Sequence, residues 1–511
     1  MINPKNAFKS TLIGFVYFCC VLNCLPAIGQ VMAGLGKQQK PEREVLGKKI
    51  TDDDYNVVYK LAVTPAAEPI PAFKYRLTVE PHKTIPGNAI THYLRSQGES
   101  SLSGPWGKIR EEFGWEEVDD WYDLERDAST IPLKSLKKAS GSFDSYVKNH
   151  LVRATLCREA EWGLAIEDLR GFETIQFLLP SIQQTRDIAK ALMLQNRLAL
   201  IEGRFDDSID RIRMTYVLGQ HVSKLEMLVC SLVGMAEVGM ANECMIDLIS
   251  TEGSPNMYWA LSELPEPIVS IRDAIRLESS LPLRMFPVLS DVQTAQHSKE
   301  HWNELVQELV KSFADIGSSI SVGGPQDDFT SRQLFISAFA LAGYTGAKKN
   351  LIDSGLDPDA VEKMPVLQVI LLEAAKEMER MSQEMEKTYY VPYPKASKMV
   401  EEIEDRLSRP MTSLGGAVAR ILLPAMQQVR QAEVRVQTEV NTLIVIEAIR
   451  HHLATKNELP ESLDDLELPV RNNPYTDLPF QYELNGNTAV IEIPREAGSI
   501  RSVRYEITLK K

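Results

Sequence analysis

The sequence predicts a mainly α protein, an array or bundle of antiparallel helices with an extended N-terminal arm and a small C-terminal antiparallel β cap. Residues 181–254 contain no proline, although the chain has 28 prolines in 511 residues. This stretch holds three amphipathic runs of helical period. Beyond Asn457 the apolar period changes to two, and Asn485-Gly486 is a dipeptide typical of hairpin turns.

The first 29 residues have the pattern of a signal peptide. Lys5 and Lys9 form a short basic region, residues 12–25 are apolar, and Ala27-Ile28-Gly29 supplies small residues for a signal peptidase. We therefore predict cleavage near Gln30 and an exported protein, either periplasmic or secreted. The alternative is an uncleaved N-terminal membrane anchor, for which this apolar run is at the short end of a bilayer span.

The charge and cysteine content of the chain argue against a nucleic-acid-binding protein and against a disulfide scaffold. Without residues 1–29 the chain has 54 basic and 70 acidic residues, a net charge of 54 − 70 = −16, which opposes binding to the phosphate backbone of nucleic acids. The three cysteines outside the signal are too few for a disulfide scaffold, and we expect buried thiols. Pairing of Cys230 with Cys244 would require the chain to turn back between them.

Two segments precede the predicted helices. Residues 30–60 are polar and charged, which predicts a tether. Residues 61–140 predict an extended arm with short helices, because prolines recur from Pro65 to Pro86 and residues 73–79 alternate with a strand period.

Residues 141–410 are predicted to form the helical core. The apolar positions of three successive runs step by three and four residues, as on one face of a helix: 191–201, 205–216 and 225–235. Gly203 suits a helix stop, and Asp206 or Asp207 suits the next N-cap. Gly234 and Gly239 are small enough to let a neighbouring helix approach. Short turns between the runs predict antiparallel neighbours.

The hairpin in the middle of this core, residues 199–209 (ALIEGRFDDSI), is similar to one tetratricopeptide-type helical pair. A second copy at a period near 34 residues is missing, so we expect a helical array and no repeat solenoid. Further helices are predicted at 268–283, 290–313, 333–347 and 365–387. Residues 411–511 are predicted to form a long helix, at 415–455, and then the β cap, with strands at 480–484, 489–493 and 503–509.

One motif suggests a metal. His297-Ser298-Lys299-Glu300-His301 has the H-x-x-E-H pattern in which two histidines bind zinc and the glutamate acts as a base. The apolar stripe of this predicted helix runs from Trp302 to Phe313, and the side chains of the motif point away from that stripe. This orientation favours a solvated helix start. A metal-dependent hydrolase that uses His297, Glu300 and His301 is therefore the alternative hypothesis, and the main hypothesis includes no cofactor.

A second group suggests a binding site without catalytic chemistry. Ser254-Pro255-Asn256 has the pattern of a helix start, with a capping serine and proline at the first helical position, and Tyr258 and Trp259 follow. Asn256, Tyr258 and Trp259 are the candidate binding residues, although core packing is the alternative role for both aromatic side chains.

Four portions of the chain resemble a family of uncharacterised exported proteins of planctomycete-type bacteria. The portion at 254–278 reads SPNMYWALSELPEPIVSIRDAIRLE, and the other three lie within 69–94, 179–221 and 443–494. The resemblance implies export, with no catalytic residue to carry over. Residues 443–494 are also similar in layout to the globular module of type II secretion pseudopilins. This chain has Asn473 before Pro474 where that module has aspartate, and it lacks an adjacent polymerising helix.

The sequence thus predicts an exported helical protein of the cell envelope that serves as a non-enzymatic scaffold or binds protein partners. We expect no nucleic acid partner, and membrane contact only through the N-terminal segment if that segment is uncleaved. An envelope or secretion assembly component with a pseudopilin-like module is the third hypothesis.

Overall fold

The computed structural model confirms a mainly α fold with a small C-terminal antiparallel sheet. It describes residues 48–51, 56–99, 105–121, 130–165, 168, 180–285, 304, 343–408, 414–494 and 502–510. The chain divides into two compact units. The larger unit comprises Lys37–Trp162, Leu179–Ile271 and Val429–Lys511, and the smaller one comprises Met1–Gly36, Gly163–Leu178 and Arg272–Gln428.

The larger unit contains most of the helices described. In chain order they are α1 Ala89–Glu99, α2 Pro105–Phe113, α3 Trp115–Trp121, α4 Leu133–Gly141, α5 Asp144–Tyr146, a π-helical turn Val147–Leu151, α6 Val152–Leu156, α7 Pro180–Ile201, α8 Phe205–Val222, α9 Leu228–Ser250 and α10 Tyr258–Ser262. The long helix α16, Leu414–Lys456, supplies its residues from Val429 onward to this unit.

The centre of the larger unit is the mutual packing of α7, α8 and α9, the three helices predicted from the proline-free stretch. Gly203 has a φ of +69° directly after α7, so it ends that helix in the left-handed conformation that glycine adopts most easily. The expected capping role of Asp206 or Asp207 is wrong. Arg204 occupies the N-cap position, and both aspartates lie in the first turn of α8, where carboxylates stabilise a helix start.

Helices α8 and α9 cross at a pair of glycines with their backbones in direct contact. A Cβ atom on Gly219 would lie 2.6 Å from the carbonyl oxygen of Gly234, and one on Gly234 would collide with the carbonyl oxygen of Gly219. Gly239, in the same helix α9, has no atom within 4 Å of the position of a Cβ. Of the predicted small residues, Gly234 therefore makes a close backbone contact and Gly239 does not.

Helix α9 is long and apolar enough to cross a membrane by length and composition, and it is the one such helix among the residues described. Its most apolar window is 67% buried inside the protein, and buried core helices meet the same criteria. Cys230 and Cys244 both lie on α9 and Cys157 lies in a short strand, and all three are buried free thiols as expected.

The C-terminal strands form at the positions expected from the alternating pattern. They are β5 Gln481–Asn485, β6 Thr488–Ile493 and β7 Val503–Leu509, paired antiparallel in the order given. Two earlier strands, β1 Lys48–Thr51 and β2 Asn56–Val63, extend this sheet to the order β1-β2-β7-β6-β5, with β2 parallel to β7. Residues 48–51 and 56–60, expected to belong to the polar tether, are thus in strands.

Residues 73–79 form no strand although their pattern alternates, and this part of the extended arm is held by its side chains. Phe73 packs against Trp259 with ring centroids 6.0 Å apart, and Arg76 forms ion pairs with Glu80 and Glu263. The strand beside the arm is β3, Ile85–Asn88, which pairs in parallel with β4, Cys157–Glu159.

The smaller unit contains α11 Arg272–Met285, a helix over residues 343–353 (α12), α13 Pro358–Lys363, α14 Val366–Thr388 and α15 Tyr393–Ser408. Its core joins α12, α13 and α14 through apolar side chains that include Leu351, Val361 and Val369. Helix α15 begins at Tyr393-Pro394, because proline is tolerated in the first turn of a helix.

Candidate binding site

The predicted binding residues Asn256, Tyr258 and Trp259 use their polar atoms inside the fold. Asn256 is 2% exposed, and its side-chain amide nitrogen donates to the carbonyl oxygens of Ala66 and Glu447, each at 2.9 Å. Tyr258 is 3% exposed and donates its hydroxyl hydrogen to the carbonyl oxygen of Pro469. Their contacts join the arm, α16 and the segment before the β cap.

Trp259 is half-buried and contacts the arm. Its indole nitrogen donates to a carboxylate oxygen of Glu68 at 2.6 Å, and its ring meets that of Tyr258 edge-on at 5.0 Å. The structure therefore brings the three residues together around the start of α10. The expected helix start at Ser254 is wrong, because Met257 is the N-cap of α10 and Ser254 binds Arg450 instead.

A buried ion pair lies beside these residues. Glu447 and Arg450 are on one face of α16, their side chains are fully buried, and the nearest nitrogen to oxygen distance is 3.0 Å. The guanidinium also donates to the carbonyl oxygens of Thr64, Ser254 and Pro255 at 2.9 to 3.3 Å. Burial raises the pKa of Glu447, and the charge of Arg450 opposes that rise. This pair therefore holds three separate chain segments together.

The metal motif His297, Glu300 and His301 lies outside the described residues. Within the part of the chain that the structure describes, no group of three histidine, cysteine, aspartate or glutamate side chains is arranged to hold a metal ion. The zinc hydrolase hypothesis stays a prediction. Zinc analysis of the purified protein, before and after His301→Ala, is the measurement that checks it.

A buried acidic group lies where α7 and α9 pack. Glu237 is fully buried, and among the described residues neither of its carboxylate oxygens has a partner with hydrogen-bond geometry. Burial raises the pKa of Glu237 to about 8, while the nearby Thr185 hydroxyl and Arg186 charge lower it in part.

A buried histidine lies in the same unit. The Tyr93 hydroxyl lies 3.1 Å from Nδ1 of His221, and burial lowers the pKa of His221 to about 3. Both Glu237 and His221 are therefore neutral at pH 7.

We expect Glu237→Gln to change how stability depends on pH. In the unfolded chain this carboxyl loses its proton near pH 4.3, whereas in the fold it keeps the proton up to about pH 8. The folded state binds more protons in that window, so wild-type stability falls as pH rises, by up to about 1.4 kcal/mol per pH unit. The variant should gain stability relative to wild type between pH 5 and pH 8 in guanidinium unfolding.

The matched control is Glu226→Gln, which removes an exposed carboxyl from the same unit. This variant should keep the wild-type pH dependence, because an exposed carboxyl is solvated in both states. An equal pH dependence in wild type and Glu237→Gln would contradict the assignment of Glu237 as a buried neutral acid.

A cavity of about 450 Å³ lies within the larger unit, between the α4–α6 region and the α7–α8 hairpin. Its volume is within the range of small-molecule sites. Ser140, Val147 and Leu198 form part of the wall, and the remaining lining is mostly charged. The turn at Gly203 positions this charged wall, because it returns the chain so that the start of α8 lies beside the end of α7.

Hydrogen bonds hold one guanidinium in place in this cavity. Nε of Arg211 donates to Oε1 of Gln195 at 2.7 Å, and Nε2 of Gln195 donates to Oδ1 of Asp144 at 2.9 Å. Gln195 is 5% exposed, and its side chain also donates to the carbonyl oxygen of Ser140. Burial lowers the pKa of Arg211 from its usual value, but a guanidinium stays charged at neutral pH. The cavity thus presents a preorganised cation.

Sequence reasoning missed this site, although one signal of it exists. Arg204, Asp207 and Arg211 recur at spacings of three and four residues, which places them on one face at the start of α8. This spacing predicts a charged helical face. It does not indicate that residues 137–152 cover the face, because only the tertiary packing brings that earlier segment over it.

No protein-family model matches the chain, and neither the curated proteins nor the solved structures include a match to it.

Proposed function

We propose that the protein is an exported, non-enzymatic binding protein of the cell envelope whose binding site is the cavity between the α4–α6 region and the α7–α8 hairpin. The observation that carries the proposal is the Arg211–Gln195–Asp144 chain of hydrogen bonds, which fixes a cation at the wall of a ligand-sized cavity. Polar groups that are fixed in position at the wall of a cavity can orient and recognise a specific ligand. Export rests on the signal pattern of residues 1–29.

The test of this proposal is fractionation of the native cells followed by pull-down with a C-terminal tag. We expect the protein in the envelope or periplasmic fraction, with a mature N-terminus near Gln30 by mass spectrometry. An intact N-terminus on a cytoplasmic protein would refute export. Envelope proteins recovered with the wild type, and not from a tagged unrelated periplasmic protein, would identify the partners.

The layout of the C-terminal module favours a second candidate, an envelope or secretion assembly component. The long helix α16 is followed by a short helical turn, Leu463–Asp465, and by the hairpin β5–β6. The order of these elements is the one that the resemblance to pseudopilins implies. The same pull-down distinguishes the candidates, because an assembly component should recover secretion-system proteins.

A further inference from the structure

We propose that the cavity binds a small organic molecule through a single carboxylate group, with Arg211 and Lys148 as the recognising cations. The proposal rests on the proposed function, because it names the ligand class of the same site. Lys148 and Arg211 both line the cavity, the former from the π-helical turn and the latter from α8.

The charged groups of the cavity differ in how far they are neutralised within the protein. Arg204 pairs with Asp207 and with Glu202, and Lys137 pairs with the same Glu202 at 2.7 Å. Neither cation is therefore available to a ligand without breaking an ion pair. Lys148, by contrast, is exposed at the cavity and has no ion pair in the described part of the chain.

Arg211 is oriented so that part of its guanidinium is unused. Its Nε–H is committed to Gln195, and among the described residues neither Nη1 nor Nη2 has a hydrogen-bond partner. Neither Nη atom of Arg211 belongs to the buried side-chain atoms that lack a partner. Both Nη atoms are therefore exposed to solvent. A guanidinium whose Nη hydrogens are free matches the two oxygens of an oxyanion, and the bond to Gln195 fixes its plane.

The net charge of the site selects a carboxylate over a phosphate. The four lining cations, Lys137, Lys148, Arg204 and Arg211, face the lining carboxylates Asp144 and Asp207 and the paired Glu202, so the balance is 4 − 3 = +1. One negative charge neutralises this site. A phosphate monoester, at −1.5 to −2 near pH 7, would bring excess negative charge close to Asp144.

The experiment is a binding assay on the purified protein by ligand-observed NMR. The probes are propionate, hexanoate, benzoate and indole-3-acetate, each paired with its carboxamide, together with inorganic phosphate. We expect at least one carboxylate to bind with a Kd below about 1 mM and its amide to bind at least about tenfold more weakly, since the amide lacks the charge.

Variants assign the binding to the two cations. Arg211→Gln should weaken the carboxylate by about 10- to 100-fold, as expected for the loss of charged hydrogen bonds. Arg213→Gln is the matched control, because Arg213 lies in the same helix, pairs with Asp210 and does not line the cavity. Lys148→Gln, a change at an exposed position, should also weaken binding and provides the test if Arg211→Gln fails to fold.

Four results would overturn the proposal: no carboxylate binds, the amide binds equally well, phosphate binds in preference, or Arg211→Gln and Lys148→Gln both bind like wild type. These results refute the ligand class alone if fractionation and pull-down still place the protein in the envelope with partners. Cytoplasmic location with intact carboxylate binding would refute the proposed function instead.

Discussion

Arg450→Ala should destabilise the larger unit by about 3 to 5 kcal/mol, the usual cost of leaving a fully buried charge without its partner. The change removes the cation that neutralises Glu447 and the donors that bind the backbone of the arm and the segment before α10. Guanidinium denaturation followed by tryptophan fluorescence is the measurement. Trp259 lies next to the affected segments and reports their release.

Two controls separate the buried pair from a general effect of removing an arginine. Arg504→Ala breaks a surface ion pair with Glu492 in the β cap and should cost no more than about 1 kcal/mol. The double variant Glu447→Leu with Arg450→Met should recover much of the lost stability, because well-packed apolar side chains can replace a buried pair. An Arg450→Ala protein as stable as Arg504→Ala would show that the pair contributes nothing.

Gly234→Ala should be the second most damaging single change. The new methyl group would collide with the backbone carbonyl of Gly219, so α8 and α9 must separate, at a cost of about 1 to 3 kcal/mol or more. Gly219→Ala should act in the same way, because each glycine faces the carbonyl of the other. The thermal unfolding midpoint measures both effects.

Gly239→Ala is the matched control for this contact, because it makes the same change in the same helix with open space around the new methyl group. There alanine should stabilise the helix by roughly 0.5 to 1 kcal/mol, since it is the better helix former. Equal effects of alanine at positions 234 and 239 would contradict the close crossing of α8 and α9.

The features that the sequence predicted well are those that depend on local pattern. The runs that became α7, α8, α9 and α14 have apolar residues at helical spacing, and the strands β5 to β7 alternate around a strong turn at Asn485-Gly486. Such patterns indicate which face of an element is buried, and most of the apolar positions in these elements are buried or half-buried, whereas Ile201 at the end of α7 is exposed. The fold class was therefore predictable from the sequence.

The errors arose where tertiary contacts outweigh local pattern. Residues 73–79 alternate like a strand but form none, and Trp259 and Glu263 contact their side chains. Ser254-Pro255 has the local chemistry of a helix start, but the hydroxyl oxygen of Ser254 accepts a hydrogen bond from the buried Arg450 instead. These three partners lie far along the chain from the residues they contact, so no local signal could reveal them.

The cavity could not be predicted from the sequence for the same reason. Its cations are ordinary surface residues in a pattern of local charges, and Gln195 follows the apolar Leu194 in a helix. Only the packing of the α7–α8 hairpin against residues 137–152 buries that amide and orients Arg211. By contrast, Asn256, Tyr258 and Trp259 stood out in the sequence because they are conspicuous residue types, and the fold uses their polar atoms to join its segments.

The parallel pairing of β2 with β7 has a consequence for how the protein is made. Val57 pairs with Val503, which follows it by 503 − 57 = 446 residues. The ribosome must therefore synthesise these 446 residues after Val57 before the pair can form. Until then β2 has only the short β1 beside it, and a two-stranded ribbon is marginal in water. The open edge of β2 is a place where a nascent or prematurely ended chain can aggregate or meet a chaperone.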